Sequence, residues 1–165
     1  MAKPNAFVKV SGDLLQNFKV LAWLKRLGEK YHVVICIGGG KQINKAFKKM
    51  GFKIKFGPMG RITRTLKQRQ LARDILEQNE AAIQDMIDKK KIHARVIIPV
   101  DYVATVLCHV NGDVKMLAAY NGFDKLYELT LAENVGKKRI WLERIAECFE
   151  SIEKGKLDKI EVLGF

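Results

Sequence analysis

A chain of 165 residues that is 48% hydrophobic, with a formal net charge of +12, fits a single domain over residues 1–165 that can bury a core without disulfides. No apolar run approaches the ~18 residues needed to cross a bilayer, and the opening MAKPNAFVKVSGD lacks the apolar stretch of a secretory signal, so a cytoplasmic protein with no membrane partner is expected. Cys36, Cys108 and Cys148 are widely spaced among apolar residues and read as reduced, buried thiols, while His32, His93 and His109 show no spacing that requires a metal.

Phe7 to Val10 reads as a short strand ended by Ser11-Gly12-Asp13. Asp13 is placed to cap a helix from Leu14 to about Lys30, on which Leu14, Phe18, Leu21, Leu24 and Leu27 recur at helical intervals. The stretch from Val33 to Phe47, VVICIGGGKQINKAF, then reads as a buried strand, a glycine turn and a helix start. Gly38, Gly39 and Gly40 can take positive φ and let another molecule approach the backbone, and the helix start offers unpaired N–H groups to an anion. The run is neither GxGxxG nor GxxxxGK[ST], so it serves as a ligand-contacting loop or as a tight turn in a packed α/β unit. In a parallel sheet these turns share the carboxyl edge, where Ser11, Gly12 and Gly38–Gly40 would meet across one crevice with Lys9 close by.

Phe52, Ile54 and Phe56 alternate with Lys53 and Lys55 as in a strand or hairpin arm, and Gly57-Pro58 and Gly60 mark a turn. A long helix is expected from Leu66 to Lys89, with Asn79 marking either a break or a polar contact. Arg61 with Thr63, between a glycine and that helix, forms either an oxyanion clamp or a solvated basic helix start. Val96 to Val100 reads as a strand with Pro99 near its end, and Val103 to Val110 as a strand or short helix. Asn111-Gly112-Asp113 introduces a helix capped by Asp113, which either orients cations around a reacting group or simply caps. Lys125 to Thr130 reads as a strand, and Ile140, Trp141, Ile145, Phe149 and Ile152 as the apolar face of a helix stopped by Gly155. Ile160 to Leu163 reads as a terminal strand.

The charge is divided unevenly along this order. Met1 to Arg73 carries 17 Lys or Arg against Asp13 and Glu29, while Asp74 to Phe165 carries 13 against 16 acidic residues. A one-signed field concentrates anions, whether small metabolites, a nucleic acid backbone or an acidic protein. No zinc-finger, RNP-like or KH-like motif is present, so a small anionic ligand is favoured over nucleic acid, and the apolar helices leave room for a homodimer.

The order FVKVSGDL, VVICIGGGKQINKAF, GRITRT, ARVIIPV, NGD and DKLYELT resembles that of the amino acid kinase superfamily, which includes acetylglutamate, aspartate and uridylate kinases. The resemblance implies a three-layer αβα sandwich with a mainly parallel sheet, using ATP and Mg2+ to phosphorylate a carboxylate or phosphate. It implies Lys9 and Asp113 as catalytic residues, with Lys9 at the transferring phosphoryl and Asp113 organising the lysines. Ser11, Gly12, Gly38, Gly39, Gly40, Arg61 and Thr63 would bind phosphate or substrate, with Arg61 holding the acceptor's anionic group. The chain departs after Thr130, where TLAENVGKKRIWLERI replaces the aspartate-rich turn of that family. This departure implies a reduced nucleotide half, hence either a kinase or a non-catalytic binding member.

Overall fold

In the computed structural model, which describes residues 2–57, 60–103, 106–109, 111–150, 152 and 156–165, the elements follow in this order. They are β1 (Asn5–Val10), α1 (Phe18–Lys30), β2 (His32–Ile37), α2 (Gly40–Lys49), β3 (Phe56–Gly57), β4 (Gly60–Arg61) and α3 (Leu66–Lys89). Next come β5 (Ala94–Ile97), β6 (Val100–Val103), β7 (Val106–His109), α4 (Gly112–Ala118), β8 (Lys125–Thr130), α5 (Val135–Ala146) and β9 (Ile160–Gly164). Five strands form one sheet in the order β5-β2-β1-β8-β9, and every neighbouring pair is parallel. Strands covered on both faces read as near-continuous apolar runs, which is why NAFVKV and HVVICI show little alternation.

Alternate side chains divide between two cores. Ala6, Val8 and Val10 of β1 pack with Ile35 of β2 against Leu24 of α1 and Ile87 of α3. On the opposite face Phe7, Cys36 and Leu126 pack against Met116 and Leu117 of α4 and Leu142 of α5. The expected α/β architecture, a mainly parallel central sheet with helices on both sides, is therefore present. A third cluster joins α2 to α3 through Ile43, Phe47, Ala72 and Leu76. Gln84 of α3 braces β5, which ends the sheet order: its Oε1 accepts from the Val96 N–H at 2.8 Å and its Nε2 donates to the Ala94 carbonyl at 3.3 Å.

Several local expectations are corrected. The helix α1 starts at Phe18 rather than Leu14, and Asn17 caps it by accepting from the Lys19 N–H at 2.9 Å. Gly12–Gln16 instead forms a 3-10 turn that buries the consecutive Leu14 and Leu15, whereas Phe18 is 75% exposed. Phe52 and Ile54 do not form a strand; they pack on the α2–α3 cluster, and only β3 and β4 pair, antiparallel. The helix α3 runs unbroken through Asn79 and opens with a capping box between Thr65 and Gln68. The strand expected from Val96 to Val100 is divided between β5 and β6, and the segment after it takes the strand alternative, with β6 and β7 paired antiparallel. Pro58, Val110 and Gly155 lie outside the described residues, as do the side chains of Asp13, Cys108 and His109.

Cys36 is fully buried, but Cys148 is exposed because α5 has ended at Ala146, so buried thiols are not general in this chain. Burial pushes the Cys36 thiol up to about 12. Cys148 is therefore expected to react with a thiol reagent in the native protein, and Cys36 only on unfolding; peptide mapping after pulse labelling checks this. Modification of Cys36 at the native rate of Cys148 would contradict its burial. Among the described residues no helix is long and apolar enough to cross a membrane, and no group of three His, Cys, Asp or Glu is placed to hold a metal ion.

Candidate functional site

The sheet register places Lys9 of β1 opposite Cys36 of β2 and Glu128 of β8, so these three side chains share the face covered by α4 and α5. Lys9 Nζ donates to Glu128 Oε1 at 2.8 Å and lies 3.1 Å from Asp113 Oδ1. Asp113 Oδ2 accepts from Lys138 Nζ at 2.6 Å and from Trp141 Nε1 at 2.8 Å, and Lys138 Nζ stands 3.4 Å from Glu128 Oε1. Two carboxylates and two ammonium groups thus form one nearly dry cluster that ties α4 and α5 to the sheet.

Asp113 reaches that cluster because it is released from capping. The cap of α4 is Asn111, whose side chain accepts from the Asp113 N–H at 2.7 Å, which corrects the expectation that Asp113 caps the helix. Gly112 lets the Lys9 chain pass, since a Cβ there would lie 3.3 Å from Lys9 Cε.

Burial opposes charge throughout the cluster, and the partners decide the outcome. Burial works against the Lys9 ammonium, but the Glu128 and Asp113 carboxylates hold its pKa above the ordinary lysine range. Burial likewise opposes the Asp113 carboxylate, yet Lys9 and Lys138 bring it down to about 2. Glu128 has no exposed surface, and its Oε2 lacks a hydrogen-bond partner; burial raises its pKa despite Lys9. Because its folded pKa is depressed, Asp113 contributes stability that is present above the ordinary carboxylate range and is lost as pH falls from about 4 to about 2. Glu128 acts in the opposite sense, its contribution being greatest below the ordinary glutamate range and declining as pH rises. Asp113→Asn is therefore expected to flatten the acid limb of the urea midpoint against pH. An unchanged slope would assign that limb to other carboxylates.

Two recesses open beside this cluster at the carboxyl edge of the sheet and share Ser11, Thr130 and Asn134. The first, about 310 Å³, extends to Lys9, Gly38 and Gly40; the second, about 410 Å³, extends to Lys137, Lys138 and Trp141. None of the described lining residues is acidic. The lining offers ammonium, hydroxyl and amide groups, while the two nearby carboxylates are held by the lysines.

Lys9, Ser11, Gly38 and Gly40 line the first recess. Gly12 follows Ser11 and opens the 3-10 turn. The glycine run does not use positive φ; among the described glycines Gly51 and Gly60 do. Gly39 serves close packing, since a Cβ there would lie 3.1 Å from Leu76 Cδ2 and 3.2 Å from Asn79 Nδ2 of α3, whereas Gly38 and Gly40 face open space. Arg61 and Thr63 line neither recess. The Arg61 guanidinium donates to Asn44 Oδ1 at 2.5 Å and to the Gly40 carbonyl at 3.2 Å, and it lies 4.9 Å from the centre of the Phe56 ring.

Glu128, Thr130, Asn134 and Trp141 were not anticipated, and Lys138 stood out in the sequence only as one of three lysines able to replace the family's second lysine. A signal existed for Glu128: a lone acid within KLYELT, a strand whose other residues are suited to burial on both faces. Lys138 and Trp141 stand three residues apart, the spacing that places two side chains on one helix face.

Neither a protein-family model nor a curated protein sequence matches the chain. Solved structures do. Smu.665 from Streptococcus mutans UA159 is similar at 16% identity and a TM-score of 0.57, over 76% of this chain and 71% of that one. N-acetylglutamate synthase from Neisseria gonorrhoeae, solved with coenzyme A and N-acetyl-glutamate, is similar at 12% identity and a TM-score of 0.59, over 98% of this chain. The same synthase with coenzyme A and L-arginine gives 10% identity and a TM-score of 0.57 over 98%. The chain spans about half the length of the synthase, 54% and 56% in the two structures. A synthase with coenzyme A thus stands where the motif order suggested an amino acid kinase, and that assignment is corrected together with ATP, Mg2+, phosphoryl transfer and the reduced nucleotide half. At 10–16% identity, what the chain shares with these proteins is the fold.

Proposed function

We propose that the chain binds the carboxylate of an amino acid or N-acyl amino acid in the crevice at the carboxyl edge of the sheet. The observation that carries this reading is the lining: cationic, hydroxyl and amide side chains converge there, with no acid among the described lining residues, above a cluster in which Lys9 and Lys138 neutralise both carboxylates. A cavity of about 310 Å³ suits a ligand of that size, at the lower end of the ~300–1,000 Å³ of small-molecule sites. The synthase structures with N-acetyl-glutamate and L-arginine support the same ligand class for this fold. Coenzyme A is a second reading, supported by the adjoining recess, where Lys137 and Lys138 would meet phosphates beside Trp141.

Thermal melting with N-acetylglutamate, glutamate and coenzyme A in turn tests both readings. A site-bound ligand at 100 times its Kd stabilises by about 2.7 kcal/mol, which for a chain of this size is a rise of roughly 5–10 °C. Asn134→Ala is expected to weaken binding at least tenfold, and Lys137→Ala to weaken coenzyme A selectively. Absence of any shift at millimolar ligand would overturn the proposal.

A further inference from the structure

Residues 41–73 hold no Asp or Glu and eleven Lys or Arg, of which only Lys41 lines the crevice. These residues fold as one body. Ile43 and Phe47 of α2 pack on Ala72 and Leu76 of α3, and Phe52 meets the Phe47 ring edge-on at 5.5 Å. Arg61 of β4 ties the ribbon to α2 through Asn44 and the Gly40 carbonyl. Seven of the cations are turned outward: Lys45, Lys48 and Lys49 from α2, Lys53 and Lys55 from the connection after it, and Arg64 and Lys67 at the start of α3 are all exposed, whereas Arg69 and Arg73 are half-buried and Arg73 pairs with Asp74.

A single-signed surface of this extent repels itself, and a polyanion relieves the repulsion by neutralising many charges at once. Phe56 stands among these cations, 62% exposed, with the Arg61 guanidinium 4.9 Å from its ring centre. An exposed aromatic ring beside an arginine within a cationic field is the arrangement on which an unpaired base stacks while the backbone phosphates follow the lysines. We propose that the surface formed by α2, the β3–β4 ribbon and the start of α3 binds single-stranded nucleic acid. An acidic protein segment has no unpaired base to occupy Phe56, which is why the surface is assigned to a nucleic acid. The proposal is independent of the crevice ligand.

The experiment is fluorescence anisotropy with a labelled single-stranded 20-mer and the full chain. With about five phosphates engaged, affinity is expected to fall on the order of 10²-fold between 50 and 200 mM salt. The triple variant Lys48→Glu, Lys49→Glu, Lys53→Glu is expected to weaken binding at least tenfold. The equally charged Lys89→Glu, Lys90→Glu, Lys91→Glu, at the far end of α3, is expected to change it less than threefold. Phe56→Ala is expected to weaken the single strand more than a duplex of the same sequence. Equal loss in both triple variants would reduce the binding to net charge and overturn the proposal. Duplex binding as tight as single-strand binding, or tighter binding to phosphatidylserine vesicles with the same dependence on Lys48, Lys49 and Lys53, would overturn it as well. Melting curves confirm that each variant is folded, and an unchanged crevice ligand affinity in the Lys48, Lys49, Lys53 variant separates this result from that of the crevice.

Discussion

Lys9→Met is expected to lower stability by about 3–5 kcal/mol, the loss associated with removing one partner from a buried ion pair. Glu128 is fully buried and has Lys9 as its nearest cation, at 2.8 Å, so the substitution leaves a carboxylate with Lys138, 3.4 Å away, as its nearest cation. For a chain of 165 residues this corresponds to a fall of roughly 10 °C in melting temperature. Lys9→Met combined with Glu128→Gln removes the charge that was left behind and is expected to recover part of the loss. Recovery would show that the penalty came from an uncompensated carboxylate rather than from a misfitted methionine. A melting point within two degrees of the parent for Lys9→Met alone would mean that water reaches Glu128.

The second large effect is expected at Phe47→Ala, at about 3–5 kcal/mol, the range for emptying a buried aromatic position. Phe47 is fully buried and is the common contact of α2, α3 and the segment around Phe52, with the Arg61 guanidinium 5.6 Å from its ring centre. The damage should be local at first. Amide exchange in α2 and the start of α3 is expected to accelerate before that of β1, β2 and β8, because the first sheet core contains no residue of the Phe47 cluster among its fully buried members. Phe47→Leu retains most of the volume and is expected to cost less. Uniform acceleration across the sheet would show that this unit and the sheet unfold together.

The parallel strands and the long helix were legible because their patterns are unambiguous. NAFVKV and HVVICI are apolar runs of strand length, and the stretch from Leu66 to Lys89 keeps helical spacing over 24 residues. The start of α1 was misread because a helical face buries residues three or four apart, whereas the chain buries the neighbours Leu14 and Leu15 by tightening into a 3-10 turn. Asp113 illustrates a different difficulty. Asn111 and Asp113 are both good caps, and only the path of Lys9 past Gly112 decides which of them turns toward the sheet. Residues of the turns after β1 and β2 line a recess, as their glycines suggested, yet its opposite wall, Thr130 with Asn134, Lys138 and Trp141, comes from segments more than eighty residues away. Short-range patterns do not pair segments at that separation. The family resemblance rested on motif order alone, and motif order does not show what the crevice holds.

A sheet that stops at a bare strand offers a template on which another chain can add, strand by strand, toward an amyloid-like assembly. Gln84 removes that template at β5. One side-chain amide occupies the Val96 N–H and the Ala94 carbonyl, two of the groups an incoming strand would use. The residue that braces the last strand thereby also decides that the sheet ends there.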